Sequence, residues 1–437
     1  METNEDKYNQ LKLISLLENC VRSTRFTIGK KQFIGPEQYG ELYRRSRFNF
    51  ESWKLLTSST LLEDDKNLTL LVRFLQPFLD EYLDSENGRI GVGFGQFWLV
   101  GLSGEEHKTI NEFARILIRM SARIHPSIVA SHFFRWTKGE PIRFHTNALL
   151  QGVRLDKPIQ VSGIRLFKFS YNSKELRRRL PIHPLFEFEI PVMELMGGVV
   201  ISIPSKIHPA LFGPNKDGNQ VELTMGTDEI PIKSLDGLCH VISLACNGYI
   251  SRLLEWRDVG ELEAYFKLPQ TGFNKFPRNH APEVALSENS LIQGLEVYGK
   301  VLQENGAGKH DNLVQAIQRW VRSKQARTLA DKLIELRIAL ESLYEIGSDS
   351  EKAFRIANYC AWHLGRDFND RCHIRDTISK IYRDSSQVVH GGKPKHTNND
   401  NQLLINGQNH CRNGILKHLG EVDKPDWTKL ILGQDNQ

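Results

Sequence analysis

The sequence lacks the features that mark membrane and secreted proteins. No apolar run approaches the roughly 20 residues that a membrane-spanning helix needs, and the run GGVVISIP at 197–204 is far too short. The first residues, METNEDKYNQ, are polar and acidic, without the basic and then apolar segments that are typical of a signal peptide. We therefore expect a cytoplasmic protein with no membrane partner.

Cysteine is scarce, and its arrangement indicates neither a disulfide framework nor a metal site. The six cysteines form no C-x-x-C pair, and without a secretion signal they are expected to be reduced. The segments RCH (371–373) and NHC (409–411) together hold two cysteines and two histidines, but neither has the ligand spacing of a zinc finger. The glycines of 88–104 lack the G-K-[ST] ending of a phosphate loop and predict a hairpin or a bulged strand. We expect no metal and no cofactor.

Excess charge of one sign is also small. The 57 lysines and arginines exceed the 52 aspartates and glutamates by five. Residues 305–437 hold 20 basic and 16 acidic side chains, a net charge of +4, so nearly all of the excess lies in the last third. A charge of this size is compatible with a polyanionic partner but does not require one.

The length of 437 residues is too great for one typical core. Hydrophobic periodicity predicts an α+β fold, with a mixed helical and β N-terminal region (1–268) followed by an all-α bundle (290–437). A further division of the first region into 1–135 and 136–268 stays open. Prolines and a lack of periodicity predict a linker at 269–289.

Spacing of apolar residues by three and four predicts individual helices, and β-branched or aromatic runs between Pro and Gly predict strands. In the first region the predicted helices are 67–83, 105–124 and 234–256, and the predicted strands include 157–171 and 197–204. In the second region the predicted helices are 311–324, 326–346, 350–365 and 373–392, with Gly365 and the pair Gly391 and Gly392 as helix ends.

The last of these helices contains the stretch KIYRDSSQVVHGG (380–392). At 100° per residue, Arg383 and His390 lie within about 20° of each other and about 10 Å apart along the axis. The opposite stripe is expected to face the core, and it consists of Ile374, Ile378, Ile381, Tyr382, Ser385, Val388 and Val389.

Arg383 and His390 suit the cleavage of RNA by its own 2′-hydroxyl, because histidine transfers protons and arginine stabilises charge on phosphate. One helix alone does not bring both side chains onto one small reacting group. A second copy of the helix, packed across a two-fold axis, would make two arginines and two histidines converge. Spacing alone is weak evidence, since similar spacings join Arg119 to His125, Arg366 to His373 and Arg412 to His418.

The context of this stretch resembles the HEPN superfamily, and within it the ApeA-like HEPN domains. Three segments in the same order carry the resemblance: AIQRWVRSKQARTLADKLIELRIALESLY (316–344), the helix ending AWHLG (361–365), and IYRDSSQVVHGG (381–392). The resemblance covers about residues 290–437. It implies an all-α bundle that commonly forms a homodimer and, in many members, a metal-independent endoribonuclease of toxin–antitoxin or anti-phage abortive-infection systems.

Carried over by position, Arg383 and His390 take the catalytic roles and RNA is the substrate. Asp384 occupies the polar position after the arginine and is expected to orient Arg383 or His390. Glu341, in the family's Leu-Glu element, is expected to support the site as an acid. The N-terminal region is then expected to sense a trigger, such as a phage protein, or to restrain the nuclease. The alternative is a non-catalytic HEPN-like dimer that binds nucleic acid or regulates a partner.

Overall fold

The computed structural model describes residues 4–28, 32–46, 60–62, 65–79, 96–101, 104–138, 140, 142–169, 198–207, 210–212, 224–226, 231–258, 283–306, 311–344, 351–390, 400–420 and 425–431. Most of the predicted linker (269–282) and the glycines Gly391 and Gly392 lie outside the described residues. The α+β class that the sequence predicts is confirmed, since strands fall before residue 286 and the elements from residue 288 onward are helices.

The secondary structure runs along the chain as follows. The helices are α1 (Asn4–Ser23), α2 (Pro36–Ser46), α3 (Asp65–Leu79), α4 (Ile110–Arg123), α5 (Pro126–Thr137), α6 (Leu235–Cys246), α7 (Glu288–Gly306), α8 (Asp311–Gln325), α9 (Leu329–Leu343), α10 (Lys352–Leu364), α11 (Phe368–Val389), α12 (Asp400–His418) and α13 (Trp427–Ile431). The strands are β1 (Arg25–Ile28), β2 (Gln32–Ile34), β3 (Thr60–Leu62), β4 (Gln96–Gly101), β5 (Gly104–Thr109), β6 (Ile142–Gln151), β7 (Val153–Arg154), β8 (Ile159–Val161), β9 (Ile164–Lys168), β10 (Val199–Ile207), β11 (Ala210–Phe212), β12 (Thr224–Gly226), β13 (Pro231–Ile232), β14 (Ser251–Asp258) and β15 (Val284–Ala285).

The chain forms two compact units, and neither is continuous in sequence. Unit 1 takes its residues from 1–148, 169–227 and 254–273, and unit 2 from 149–168, 228–253 and 274–437. The C-terminal helices therefore share a unit with two segments that precede the predicted linker.

The core of unit 1 is built by α1, α3, α4 and α5. Each helix contributes apolar side chains at three- and four-residue spacing, which places them on one face. The fully buried members are Leu13, Leu17, Leu71, Leu75, Phe113, Ala114, Leu117, Ile118, Met120, Val129, Ala130 and Phe133. Burial of such a set is the main stabilising contribution to this unit.

Unit 1 also contains antiparallel β-structure. Strand β1 pairs with β2 and β3, and β4 pairs with β5 and β11. Strands β12, β10, β6 and β14 lie side by side in that order. Of the hairpin or bulged strand predicted within 88–104, the described residues show one strand, β4, and its hairpin partner β5 extends beyond the predicted range; 88–95 and 102–103 lie outside the described residues. The helix predicted over 105–124 starts only at Ile110, because residues 104–109 pair with β4.

Helix α6 in unit 2 is shorter than its sequence pattern predicts. The predicted helix over 234–256 is wrong after Cys246, since Ser251–Asp258 forms β14. Asn247 adopts the left-handed conformation (φ 51°, ψ 36°), and its backbone N–H donates to the Leu244 carbonyl. An asparagine followed by a glycine favours this turn. The apolar pattern continues through the turn, so periodicity alone did not reveal it.

The bundle of unit 2 encloses a second core between α8, α9, α10, α11 and α12. Leucines at three- and four-residue spacing on α9 face this core: Leu333, Leu336, Leu340 and Leu343 are buried, and Leu329 is partly buried. The other wholly buried side chains include Trp320, Ile356, Cys360, Ile378, Ile381, Cys411 and Ile415. Helix α10 ends at Gly365 as predicted, but the glycine is extended (φ −77°) rather than left-handed.

Two glycines of α12 allow it to lie close against its neighbours. A side chain at Gly407 would collide with Ile381 of α11 and Leu336 of α9, and one at Gly414 would collide with Leu343. Because both α9 partners advance by seven residues as α12 advances by seven, α9 and α12 run in the same direction.

Helix α11 runs opposite to α12. Ile381 lies against Gly407, whereas His373, eight residues earlier, has its ring centroid 6.2 Å from that of His410. The first turns of α9 and α12 and the last turn of α11 consequently lie at one end of the bundle, which we call the His390 end.

The structure bears on two further predictions from composition. Among the described helices, none has the length and apolar character to cross a bilayer. All six cysteines are free thiols. Burial raises the pKa of Cys360 to about 12 and that of Cys411 well above its ordinary value. These two thiols therefore act as packing residues of the core.

Candidate active site

The candidate site lies on α11, whose ends are well defined. The Asp367 side chain accepts a hydrogen bond from the backbone N–H of Asp370 (2.9 Å), which caps the first turn. At the other end the backbone N–H of His390 donates to the Ser386 carbonyl (3.1 Å), so His390 is the C-cap residue. Helical geometry therefore persists from Arg383 through Val389, next to His390.

The predicted apolar stripe of α11 is confirmed over most of its length. Its buried members are Ile374, Ile378, Ile381, Tyr382 and Ser385, together with Thr377. Val389 was predicted to be buried as well, and this prediction is wrong: its side chain is 61% exposed. The last turn of α11 thus presents an apolar side chain to solvent beside His390.

Arg383 and His390 both lie on the exposed face of α11. The Arg383 side chain is 65% exposed and His390 is exposed. Seven residues of α-helix place them about 20° apart around the axis and about 10 Å apart along it. A phosphate on this face would reach one of the two groups readily, but reaching both would require a second set of side chains.

Asp384 lies next to Arg383 and is largely covered, with 18% of its side chain exposed. Its Oδ1 is 3.6 Å from Arg383 Nε, which is an ion pair without a close hydrogen bond. The contact is loose enough to leave the guanidinium available to a phosphate, which would bind it in a bidentate manner.

Glu341 is engaged beneath α11 rather than beside Arg383. Its Oε1 accepts a hydrogen bond from Arg337 Nε (2.7 Å), and its Oε2 is 3.3 Å from Lys352 Nζ. The guanidinium of Arg337 also lies over the Tyr382 ring, 5.2 Å from its centroid. Burial and, next, the Glu341 carboxylate raise the pKa of Tyr382. Glu341 therefore holds Arg337, which lies over the ring of the residue that precedes Arg383, and Glu341 is mostly covered.

Arg337 and Tyr382 lie next to Glu341, and the family resemblance assigned no role to either of them. The Arg337–Glu341 pair carries a detectable signal in the sequence, since opposite charges four residues apart meet on a helix. The contact of Arg337 with Tyr382 joins α9 to α11, and no spacing along the sequence predicts it.

The other Arg–His spacings do not form comparable pairs. His125 lies beyond the end of α4 and accepts from the Ser127 backbone N–H, whereas Arg119 lies within that helix. Arg366 precedes α11 and pairs with Asp370. Their partners in sequence therefore do not share a helix face with them.

Arg412 and His418 do share a helix, α12, but both serve the packing of unit 2. Arg412 donates to the Leu244 and Ala245 carbonyls at the end of α6. His418 is 5% exposed, and its ring centroid lies 4.9 Å from that of His363. Six residues of helix separate them by about 120° around the axis.

The cysteine and histidine segments at 371–373 and 409–411 do not assemble a metal site. The rings of His373 and His410 lie edge to face, with their centroids 6.2 Å apart, but Cys411 is wholly buried in the core. Within the part of the chain that the structure describes, no group of three or more His, Cys, Asp or Glu side chains has an arrangement that could hold a metal ion.

Comparison with protein-family models, with curated proteins and with solved structures finds no match to this chain. The functional interpretation therefore depends on the geometry of α11 and on the resemblance of the three sequence segments.

Proposed function

We propose that the protein is a metal-independent endoribonuclease of the HEPN type that acts as a homodimer. The observation that carries the proposal is the placement of Arg383 and His390 on one exposed face of α11, above a buried face that fixes the helix.

In the proposed reaction, a histidine takes the proton of the ribose 2′-hydroxyl, and the oxygen attacks the adjacent phosphorus. The bond to the 5′-oxygen breaks, and that oxygen receives a proton from a second histidine, the His390 equivalent in the other copy. Arg383 stabilises the charge that develops on the phosphate oxygens. The products are a 2′,3′-cyclic phosphate and a 5′-hydroxyl end.

Asp384 orients Arg383 in this proposal, and Glu341 acts through Arg337 and Tyr382 to position the start of the catalytic turn. Within the cell the protein would be a cytoplasmic anti-phage or toxin effector. The mixed α/β region before the C-terminal helices would sense a trigger such as a phage protein, or restrain the nuclease.

Incubation of the purified protein with total RNA in the presence of EDTA tests the proposal. We expect fragments that end in 2′,3′-cyclic phosphate, and we expect His390→Ala and Arg383→Ala to lose them. Arg375→Ala is the matched control, because Arg375 is also exposed on α11 but pairs with Asp376 (2.8 Å). Cleavage that survives in both His390→Ala and Arg383→Ala would overturn the mechanism.

The second candidate is a dimer that binds RNA without cutting it. The 10 Å separation of the two groups along the helix favours it if no second copy completes the site. Retardation of RNA without new ends would support this candidate over the nuclease.

A further inference from the structure

The middle of α12 is joined to the end of α6 by two polar side chains. The Arg412 guanidinium donates to the carbonyl oxygens of Leu244 and, at 3.3 Å, of Ala245. In the turn that follows α6, the Asn247 amide donates to Asn409 Oδ1 at 3.0 Å. The last carbonyls of a helix run out of intrahelical donors, and here α12 supplies one. Because α6 precedes the predicted linker, α12 is held by a segment outside the predicted helical domain.

The end of α6 also belongs to the apolar core of the bundle. Leu244 is wholly buried and Tyr249 is 5% exposed, and both lie in the same cluster as the buried side chains of α8 to α12. Helix α8 bonds to the same part of α12, since Trp320 Nε1 donates to the Gln408 carbonyl at 2.8 Å. Directional bonds from two helices therefore fix α12 between residues 408 and 412.

This part of α12 is also the part that lies against α11. A side chain at Gly407, next to Gln408, would collide with Ile381, which is wholly buried. A protein interior is close-packed, so a displacement of α12 at this point must displace Ile381. Arg383 follows Ile381 by two residues on the exposed side of α11. The direction of the Arg383 side chain therefore depends on where α12 is held.

Arg412 is a costly residue for a role in packing alone. It is partly buried, and among the described residues no carboxylate forms an ion pair with it. Burial lowers the pKa of Arg412, because the charged form loses contact with water. An apolar side chain would fill the same space without this cost. The rigid guanidinium instead contacts two carbonyls at once, which fixes α12 in direction as well as in distance.

We propose that Arg412 and Asn409 are positioning residues for Arg383. By joining α12 to the end of α6 they fix the place of Ile381, and through it the direction in which Arg383 leaves α11. This inference rests on the proposed ribonuclease function. It extends the catalytic unit to α6, a helix that the three segments of the family resemblance do not include. Arg412 acts through packed side chains and does not itself contact RNA.

The test uses variants of the full chain. Arg412→Met removes the N–H donors and keeps most of the stem, whereas Arg412→Lys keeps the charge and a single donor group. Asn409→Ala removes the second bond to the α6 end. The first control is Asn406→Ala, because Asn406 is on the same helix but accepts from Gln402 (2.8 Å). The second control is His418→Ala, which removes a buried side chain of the same helix.

Cleavage of a defined RNA gives kcat and KM for each variant, corrected for the folded fraction. We expect Arg412→Met to lower kcat about tenfold, since a small displacement of a charge-stabilising group is expensive. KM should change less than about twofold, because the contacts with bound RNA are kept. Arg412→Lys should recover part of the loss, and both controls should retain the wild-type kcat. The pH dependence of the rate should not change, since His390 is untouched.

Hydrogen exchange provides a second measurement that needs no RNA. Exchange of the backbone amides is followed by mass spectrometry on peptides that cover 381–390. Arg412→Met should accelerate exchange in these last turns of α11, because they lose part of their support. His418→Ala should leave exchange in this segment as it is in the wild type. Equal effects of the two variants on cleavage and on exchange would reduce Arg412 to a packing residue and overturn the inference.

The inference and the proposed function fail in distinguishable ways. A wild-type kcat in Arg412→Met, or a raised KM with kcat unchanged, overturns the inference and leaves the nuclease standing. If the wild-type chain cuts no RNA but exchange in 381–390 responds to Arg412→Met alone, the nuclease falls and the support of α11 by α12 stands. Should Arg412→Met not fold, Arg412→Lys and Asn409→Ala make the same comparison. Wild-type kcat and exchange in both of these variants overturn the inference.

Discussion

The ends of α11 and α12 each carry an arginine followed by a histidine, yet the two pairs differ in exposure and in contacts. On α11, Arg383 and His390 are exposed on one face. On α12, Arg412 is tied to the carbonyls of α6 and His418 is buried among aromatic rings. Seven residues place two side chains about 20° apart on a helix, and six residues place them about 120° apart. The Arg383–His390 pair, seven residues apart, can therefore contact one ligand. The Arg412–His418 pair, six residues apart, points to two different neighbouring elements.

Replacing the two histidines should give the largest contrast. His390→Ala is expected to reduce RNA cleavage by about 10³-fold, since it removes the proton-transfer group. His418→Ala is expected to cut at the wild-type rate once corrected for the folded fraction. Product ends from a defined RNA measure both rates. Equal losses in the two variants would remove the distinction between the two helix ends.

For the stability of the fold, the order of the two variants should be the opposite: His418→Ala should lose more than His390→Ala. His418→Ala leaves a cavity beside His363 and Tyr344, and it should lower the free energy of unfolding by about 2–4 kcal/mol. His390→Ala removes an exposed side chain, and its change should stay within about 0.5 kcal/mol. Urea denaturation followed by circular dichroism gives both values. A large loss for His390→Ala would mean that the α11 end is itself a packing element.

Glu341→Gln tests whether the contacts of Glu341 with Arg337 and Lys352 contribute to the position of the last turns of α11. The change weakens the contacts with Arg337 and Lys352 in a partly buried place, so we expect a loss of about 1–2 kcal/mol in stability. Cleavage should fall several-fold because Tyr382 loses its restraint, with the pH dependence of the rate unchanged. A shifted pH–rate profile would instead assign Glu341 to proton transfer.

Lys324→Met, in the last turn of α8, should have the smallest effect and the opposite sign. Lys324 is charged at pH 7 in both the folded and the unfolded chain, and its lowered pKa means that the charge opposes folding. Its removal should therefore raise the free energy of unfolding, by about 1 kcal/mol after allowance for solvent.

The pH dependence of this difference provides the check. As the pH rises through about 8, Lys324 loses its proton in the folded wild type, and the free-energy cost of burying its charge disappears. The stability of the wild type therefore approaches that of Lys324→Met. Unfolding curves between pH 7 and 10 should show the two chains converging. A difference that stays constant over this range would contradict a charge-based cost.

Much of unit 2 could be predicted from the sequence, because its helices have regular apolar spacing. The predicted helix 311–324 differs from α8 by one residue, and the predicted helix 326–346 contains α9 (Leu329–Leu343). The prediction for 234–256 failed, since the turn at Asn247 interrupts an apolar pattern that continues into β14. The left-handed conformation of Asn247 ends the helix at this point.

The surroundings of Arg383 and His390 were less accessible to prediction than their positions on the helix. Angles on α11 follow from 100° per residue, so their common face could be stated from the sequence alone. The engagement of Glu341 by Lys352 depends on how α9 and α10 meet.

The position of the last turns of α11 depends on Gly407 of α12, a residue that has no functional group. Any side chain there would push against Ile381, two residues before Arg383. An alanine at this position would act on Arg383 from the far side of its own helix, by displacement rather than by chemistry. Searches for functional residues that consider only titratable or nucleophilic groups would pass over it, although its lack of a side chain leaves the room that Ile381 occupies.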